Sequence, residues 1–269
     1  MPELQDNVKA PELIASEWLH SRPLSVEMLR GRPILIDFWD YTCINCIRTL
    51  PFIKEWHDKY ADEGLVIVGV HTPEFEFEKD TDNVIDAIDR FELKYAVAQD
   101  NDFGTWQAYK NRFWPAKYLI DKDGYIRYTH FGEGAYVETE QVIRKLLTES
   151  GSQVVSIQPS LFPDRERDPE SITGDPMTSV TRELYAGYNR NYSTVTFGSA
   201  PPYVQHMEYY EEPDRSFEYE DPGDHTNHFI YLQGFFNNAA ESLNHARDTE
   251  EYEDYIGIRF FATEVNAVM

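Results

Sequence analysis

The sequence predicts an α/β domain followed by a mainly β domain, and three observations carry that reading. Residues 34–39 and 65–70 are short, continuously apolar, β-branched runs, the pattern of strands covered on both faces of a parallel sheet. Residues 43–60, 83–91 and 137–147 repeat apolar positions with helical spacing between and after those strands. Beyond Glu149 the chain turns acidic and tyrosine-rich, and its short aromatic runs fit strands better than helices.

Taken in order, residues 11–30 hold Trp18 and Leu24 with little periodicity and are expected to form a lead-in hairpin or short helix beside the sheet. The strand at 34–39 feeds a helix over 43–60 whose Leu50, Ile53 and Trp56 face the sheet, with Pro51 expected to kink it. The second strand, a helix over 83–91 and a further short strand at 95–98 follow. A short helix at 105–111 precedes the Trp114-Pro115 turn. Strands at 117–120 and 125–131 are joined through Lys122-Asp-Gly124, a strong hairpin signal, and a helix over 137–147 closes the domain. Domain boundaries are therefore expected at 1–149, with a linker rich in Ser, Pro and charge at 150–178 and a second domain at 179–269. Strands are expected there at 193–197, 206–210, 216–219, 228–236 and 256–262.

Cys43 and Cys46 are the only cysteines, spaced Cys-x-x-Cys directly after the first buried strand. Cys43 falls at a helix N-terminus, where free N–H groups and the helix dipole favour thiolate and create a nucleophile. Cys46, one turn on, is placed to resolve the mixed disulfide that Cys43 forms. A purely structural disulfide is disfavoured, because closing so short a loop restrains the unfolded chain little. A zinc site is disfavoured too: no second Cys pair exists, and His57 and His71 show no fitting spacing.

The chain of 269 residues carries 24 Lys plus Arg against 48 Asp plus Glu, a net charge of -24. Nucleic acid and anionic membrane surfaces are therefore poor partners. No apolar stretch approaches the roughly 18 to 20 residues that span a bilayer, and the opening residues lack the basic and apolar regions of a signal peptide.

These residues resemble the thioredoxin superfamily, and within it the TlpA-like branch and the soluble part of DipZ-like proteins. Asp37 lies where that family carries a buried acid beneath the Cys pair. Trp39 matches the aromatic of the strand, and Pro51 the proline of the active-site helix. The stretch 112–121, Arg-Phe-Trp-Pro-Ala-Lys-Tyr-Leu-Ile-Asp, resembles the segment whose proline, here Pro115, is cis and faces the cysteines. The stretch 66–78, from Val66 through His71-Thr-Pro-Glu to Glu78, resembles the strand and loop of the DipZ-like group. The likeness covers the chain to about Thr148 and implies a thioredoxin-like fold with an inserted strand and helix. Ile44-Asn45 replaces the Gly-Pro of thioredoxin, and Thr42 stands where thioredoxin has Trp, so no redox potential carries over. The second domain, through residues 181–188 and 231–234, resembles the carbohydrate-binding-module-like β-sandwich of DipZ-like proteins. It is expected to be an incomplete jelly roll, its open edge finished by further strands or by another chain in a homo-oligomer.

The resemblance implies that Asp37 takes a proton from Cys46 during resolution and that Pro115 holds substrate backbone and keeps metal from the thiols. Trp39, Tyr41, Thr42, Ile44, Asn45 and Trp114 are expected to line a substrate groove, although aromatics flanking a strand equally fit a core. Glu74 and His71 could tune the thiolate, against the plainer reading of both as surface residues. The implied activity is thiol-disulfide exchange at a redox-active Cys43–Cys46 disulfide with no cofactor and no metal. Its expected partners are disulfide-containing proteins or a membrane thiol electron donor, and its expected location is extracytoplasmic. Two alternatives stand beside it. A peroxiredoxin-like peroxidase is disfavoured because the Pro-x-x-x-Thr-x-x-Cys arrangement is absent; a non-catalytic glycan-binding or adhesive envelope protein would use the redox fold as scaffold.

Overall fold

The computed structural model describes residues 8–161, 180–191 and 202–269. Its chain divides into two compact units, with the division near residue 166.

The first unit is built on a seven-stranded sheet: β1 (Val8–Lys9), β2 (Glu17–Leu19), β3 (Ile34–Trp39), β4 (Val66–His71), β5 (Ala96–Gln99), β6 (Ala116–Ile120) and β7 (Tyr125–Phe131). The spatial order is β1-β7-β6-β3-β4-β5-β2. Strands β3, β4 and β5 run parallel, while β6 lies antiparallel to β3 and β7 to β6. The two central strands are apolar on both faces because both are covered. On one face, Leu35 and Trp39 of β3 join side chains of α1 (Ile44–Tyr60), α2 (Thr81–Phe91) and α4 (Tyr136–Glu149) in one core cluster. On the other, Ile34, Ile36 and Phe38 meet the lead-in segment and Trp106 of the short α3 (Gly104–Ala108). Alternation along β3 therefore places Asp37 on the α1 face, with Leu35 and Trp39.

Local chemistry sets the element ends. Asp80 caps α2 by accepting from the Asp82 N–H at 2.9 Å. In the β6–β7 turn, Asp121 Oδ1 accepts from the backbone N–H groups of Asp123 and Tyr125 at 3.0 and 2.9 Å, while Gly124 takes a φ of +82° that favours glycine. The lead-in segment is neither hairpin nor helix: β2 adds antiparallel to β5 at one sheet edge. The expected linker is also corrected at its start. Residues 150–161 pack on the first unit, where Ser160 N–H donates to both Glu140 oxygens at 3.0 and 2.9 Å and Arg144 donates to the carbonyls of Val154 and Ile157.

In the second unit, β8 (Ser216–Tyr219), β9 (Phe229–Asn238), β10 (Leu243–His245) and β11 (Tyr255–Arg259) form one antiparallel sheet. Each of β8, β10 and β11 pairs with β9. Among the described residues this is a single sheet and not two facing ones. Residues 206–210 were expected as a strand, but they contain a 3₁₀ turn at Glu208–Tyr210 that buries Tyr209 against Val204, Ile230 and Leu232. The expected strand at 193–197 lies outside the described residues.

Candidate active site

The turn from β3 into α1 delivers both cysteines. Cys43 is the N-cap of α1, and its Sγ accepts a hydrogen bond from the Cys46 N–H at 3.3 Å. Both are free thiols; Cys43 is half-buried, while Cys46 is fully buried. Burial pushes the Cys46 thiol well up, helped by its contact with Cys43. The pair thus has one accessible sulfur and one enclosed sulfur, the asymmetry that attack followed by resolution requires.

Asp37 lies beneath the pair on the α1 face of β3. It is fully buried, and its charge is among the influences that raise the Cys46 thiol. Its cross-strand neighbour on β6 is Lys117, also fully buried, with Nζ 3.8 Å from Asp37 Oδ1. Desolvation raises the Asp37 carboxyl to about 6, against the opposing pull of Lys117. A carboxyl near that value can both accept and return a proton around neutral pH. On the other side of Asp37, β4 presents Gly69, where a Cβ would come within 3.0 Å of Trp39 Nε1 and 3.1 Å of Tyr95. The site needs glycine there because two aromatic rings close over the position.

The Trp114–Pro115 peptide is cis. Trp114 is half-buried, packs against the cluster that holds both cysteines, and donates its indole N–H to the Thr72 carbonyl at 3.0 Å. Thr42, Ile44 and Asn45 are half-buried beside Cys43. Trp39 and Tyr41 are not groove walls: both are buried, with Trp39 fully enclosed in the core and Tyr41 stacked on the His71 ring. His71 is no surface residue either. It is fully buried, and burial pushes its imidazole down to about 3, so it is neutral.

Three residues escaped sequence reading. Lys117 is one. The others are Asp40 and Glu78, both fully buried beside the Cys43 turn. Glu74 donates its backbone N–H to Glu78 Oε2 at 2.7 Å, and the carboxylate that reaches the turn is that of Glu78, bonded by the Thr42 hydroxyl. Asp40 Oδ1 accepts from the Thr42 N–H at 2.9 Å. Among the described residues no group of three or more His, Cys, Asp or Glu side chains could hold a metal. No helix among them is long and apolar enough to cross a membrane.

A parallel-cored sheet with a Cys-x-x-Cys helix cap and a buried acid beneath it defines a thioredoxin-like domain. Comparison with known proteins agrees: residues 7–129 match the AhpC/TSA family. Protein DipZ of Mycobacterium tuberculosis is 37% identical over 217 residues, covering 78% of this chain and 30% of that protein. The thiol-disulfide oxidoreductase YkuV of Bacillus subtilis is 28% identical over 141 residues, covering 52% of this chain and 95% of that one. The crystal structure of a thioredoxin-like superfamily protein superposes with a TM-score of 0.50 at 27% identity, covering 52% of this chain and 97% of that one. The first unit thus has a thioredoxin-like fold, and the similarity to DipZ extends beyond it into the C-terminal region. The chain spans about 30% of the length of the DipZ proteins it matches.

Proposed function

We propose that this chain is a thiol-disulfide oxidoreductase acting on disulfide-containing proteins through Cys43 and Cys46. The observation that carries the reading is the paired geometry: an accessible sulfur at a helix cap, bonded by the N–H of an enclosed second cysteine, above a buried carboxyl. The similarity to YkuV, a thiol-disulfide oxidoreductase, supports it.

In the reducing direction, the Cys43 thiolate attacks one sulfur of a partner disulfide. A Cys43–partner bond forms, the partner's sulfur–sulfur bond breaks, and the other partner sulfur leaves as thiolate. Cys46 then passes its proton to Asp37, directly or through water, and its thiolate displaces the partner from Cys43. The Cys43–Cys46 disulfide forms and two electrons have moved to the partner. Lys117 limits how far Asp37's proton affinity rises, so that the acid is ionised and receptive at neutral pH. Placement outside the cytoplasm, with partners in the cell envelope, rests on the resemblance to DipZ-like proteins.

The test is covalent trapping. Cys46→Ser incubated with oxidised insulin should accumulate a mixed disulfide on Cys43, and Cys43→Ser should form none. Absence of an adduct with Cys46→Ser, in a protein that retains its fold, would exclude the reading.

A further inference from the structure

Two buried acids grip the residue that precedes the nucleophile. Asp40 follows β3 and Glu78 sits in the 3₁₀ turn Glu76–Lys79; both are fully buried. Thr42 lies between them, donating its N–H to Asp40 Oδ1 and its hydroxyl to Glu78 Oε1. The Asp40 backbone also acts on the redox pair, being among the influences that lower the Cys46 thiol against the larger effect of burial.

The donors are unequally shared. Glu78 receives the Thr42 hydroxyl and the backbone N–H groups of Glu74 and Phe75, each of the latter at 2.7 Å. Asp40 receives the Thr42 N–H, and its Oδ2 has no donor among the described residues. His71 points Nε2 at Asp40 Oδ1 from 3.9 Å, with neither ring nitrogen partnered among the described residues, and its neutral ring brings no positive charge. The groups facing Asp40 are thus Glu78 from the 3₁₀ turn, His71 from β4, Cys43 from the α1 cap and Tyr41 stacked on His71; Asp80 and Asn83 of α2 reach Tyr41. A buried carboxylate facing another with no cation is costly unless a proton joins them. A proton on Asp40 turns the repulsive contact into a hydrogen bond to Glu78.

We propose that Asp40 and Glu78 hold one proton between them beside Cys43, and that this acid pair is redox-linked, binding its proton more tightly when Cys43 is a thiolate than when Cys43 is bonded to Cys46. The inference rests on Cys43–Cys46 being the redox pair. Its physical basis is reciprocity: negative charge on Cys43 raises the proton affinity of the pair, so a proton on the pair stabilises the thiolate. The burial and neighbours that push the Asp40 carboxyl up to about 9, the charges of Glu78 and Cys43 among them, act in this sense. Reduction of the Cys43–Cys46 bond takes two electrons from an external dithiol and gives Cys46 one proton. Where the reduced state carries Cys43 as the thiolate, reduction between the two midpoints of the pair also draws one further proton from solvent onto Asp40.

The first measurement needs no variant: the infrared carbonyl band of a protonated carboxylic acid, followed against pH in the oxidised and the reduced protein. At pH 8, above the Asp37 value of about 6 and below the Asp40 value of about 9, an acid band should persist. Its midpoint should lie higher in the reduced protein, and the band should vanish in Asp40→Asn. Absence of the band at that pH, or equal midpoints in the two redox states, overturns the proposal. The second measurement is reduction potential against pH in a glutathione buffer. The wild type should show an extra steepening across the pair's titration, and Asp40→Asn should lose it while retaining its fold. A slope unchanged by Asp40→Asn overturns the coupling, whereas failure of the wild type to equilibrate with glutathione at all sinks the exchange reading instead.

Discussion

Lys117 Nζ lies 3.8 Å from Asp37 Oδ1 across the β3–β6 pairing, and both side chains are fully closed to solvent. The pair is long for a hydrogen bond, and neither carboxyl oxygen nor the ammonium has a hydrogen-bond partner among the described residues. It is a charge pair under tension, in which the acid is easily protonated.

Resolution should therefore depend on Asp37. Asp37→Asn removes the proton acceptor, and release of a partner from the Cys43 mixed disulfide should slow by about 10²-fold at neutral pH. The pH profile of that step should lose its inflection near 6. Stopped-flow tryptophan fluorescence of single turnovers reads both. An unchanged profile would assign the proton elsewhere.

Stability should fall as pH rises through the Asp37 titration. The folded value of about 6 lies above the ordinary 3.8, so folding holds a proton that the unfolded chain has lost. That contribution is whole below pH 4 and is lost as pH rises through 6, about 3 kcal/mol in all by linkage. Denaturant unfolding of the wild type should show this fall, and Asp37→Asn/Lys117→Met, with the charge pair removed, should show a correspondingly smaller one.

Alkylation should discriminate between the two sulfurs. Cys43 is half-exposed and Cys46 closed, so brief iodoacetamide treatment of the reduced protein should label Cys43 alone. Peptide mass mapping after quenching settles it; early label on Cys46 would mean that the site opens readily.

Gly69→Ala tests the crowding over Asp37. The new methyl would meet Trp39 Nε1 at 3.0 Å and Tyr95 at 3.1 Å, both fixed rings in the core. Overpacking of this kind costs about 1–3 kcal/mol, visible as a lowered melting temperature.

The segment after α4 should act as part of the first unit. Tyr60 donates to Glu140 at 2.6 Å, and Glu140 also accepts from Ser160. Glu140→Ala leaves those donors unpaired, costing about 1–3 kcal/mol. Faster hydrogen exchange at Ser160, with little change in β3, is the expected signature.

The redox centre and the sheet around it were legible because each leaves a pattern of its own. A paired cysteine after a buried strand, helical spacing and an Asp-Gly turn all survive in one dimension. What was not legible is burial of charge. Lys117 occupies a strand position that reads equally well as solvent-facing. Glu78 ends a Glu-Phe-Glu-Phe-Glu run that looks like a solvated loop until the turn folds it onto Thr42. Asp40 reads as a polar strand terminus, and His71 as a loop residue, for the same reason. The 3₁₀ turn at Glu208–Tyr210 misled differently: buried tyrosines give one signal whether the backbone is extended or coiled.

In the second unit, every described strand of the sheet has β9 as its partner. The connectivity is that of a star and not of a ladder: among the described residues β8, β10 and β11 do not pair with one another, and Phe229–Asn238 is the template they share. A lesion in that one strand should be felt at every spoke at once, whereas one at β10 should remain where it is made.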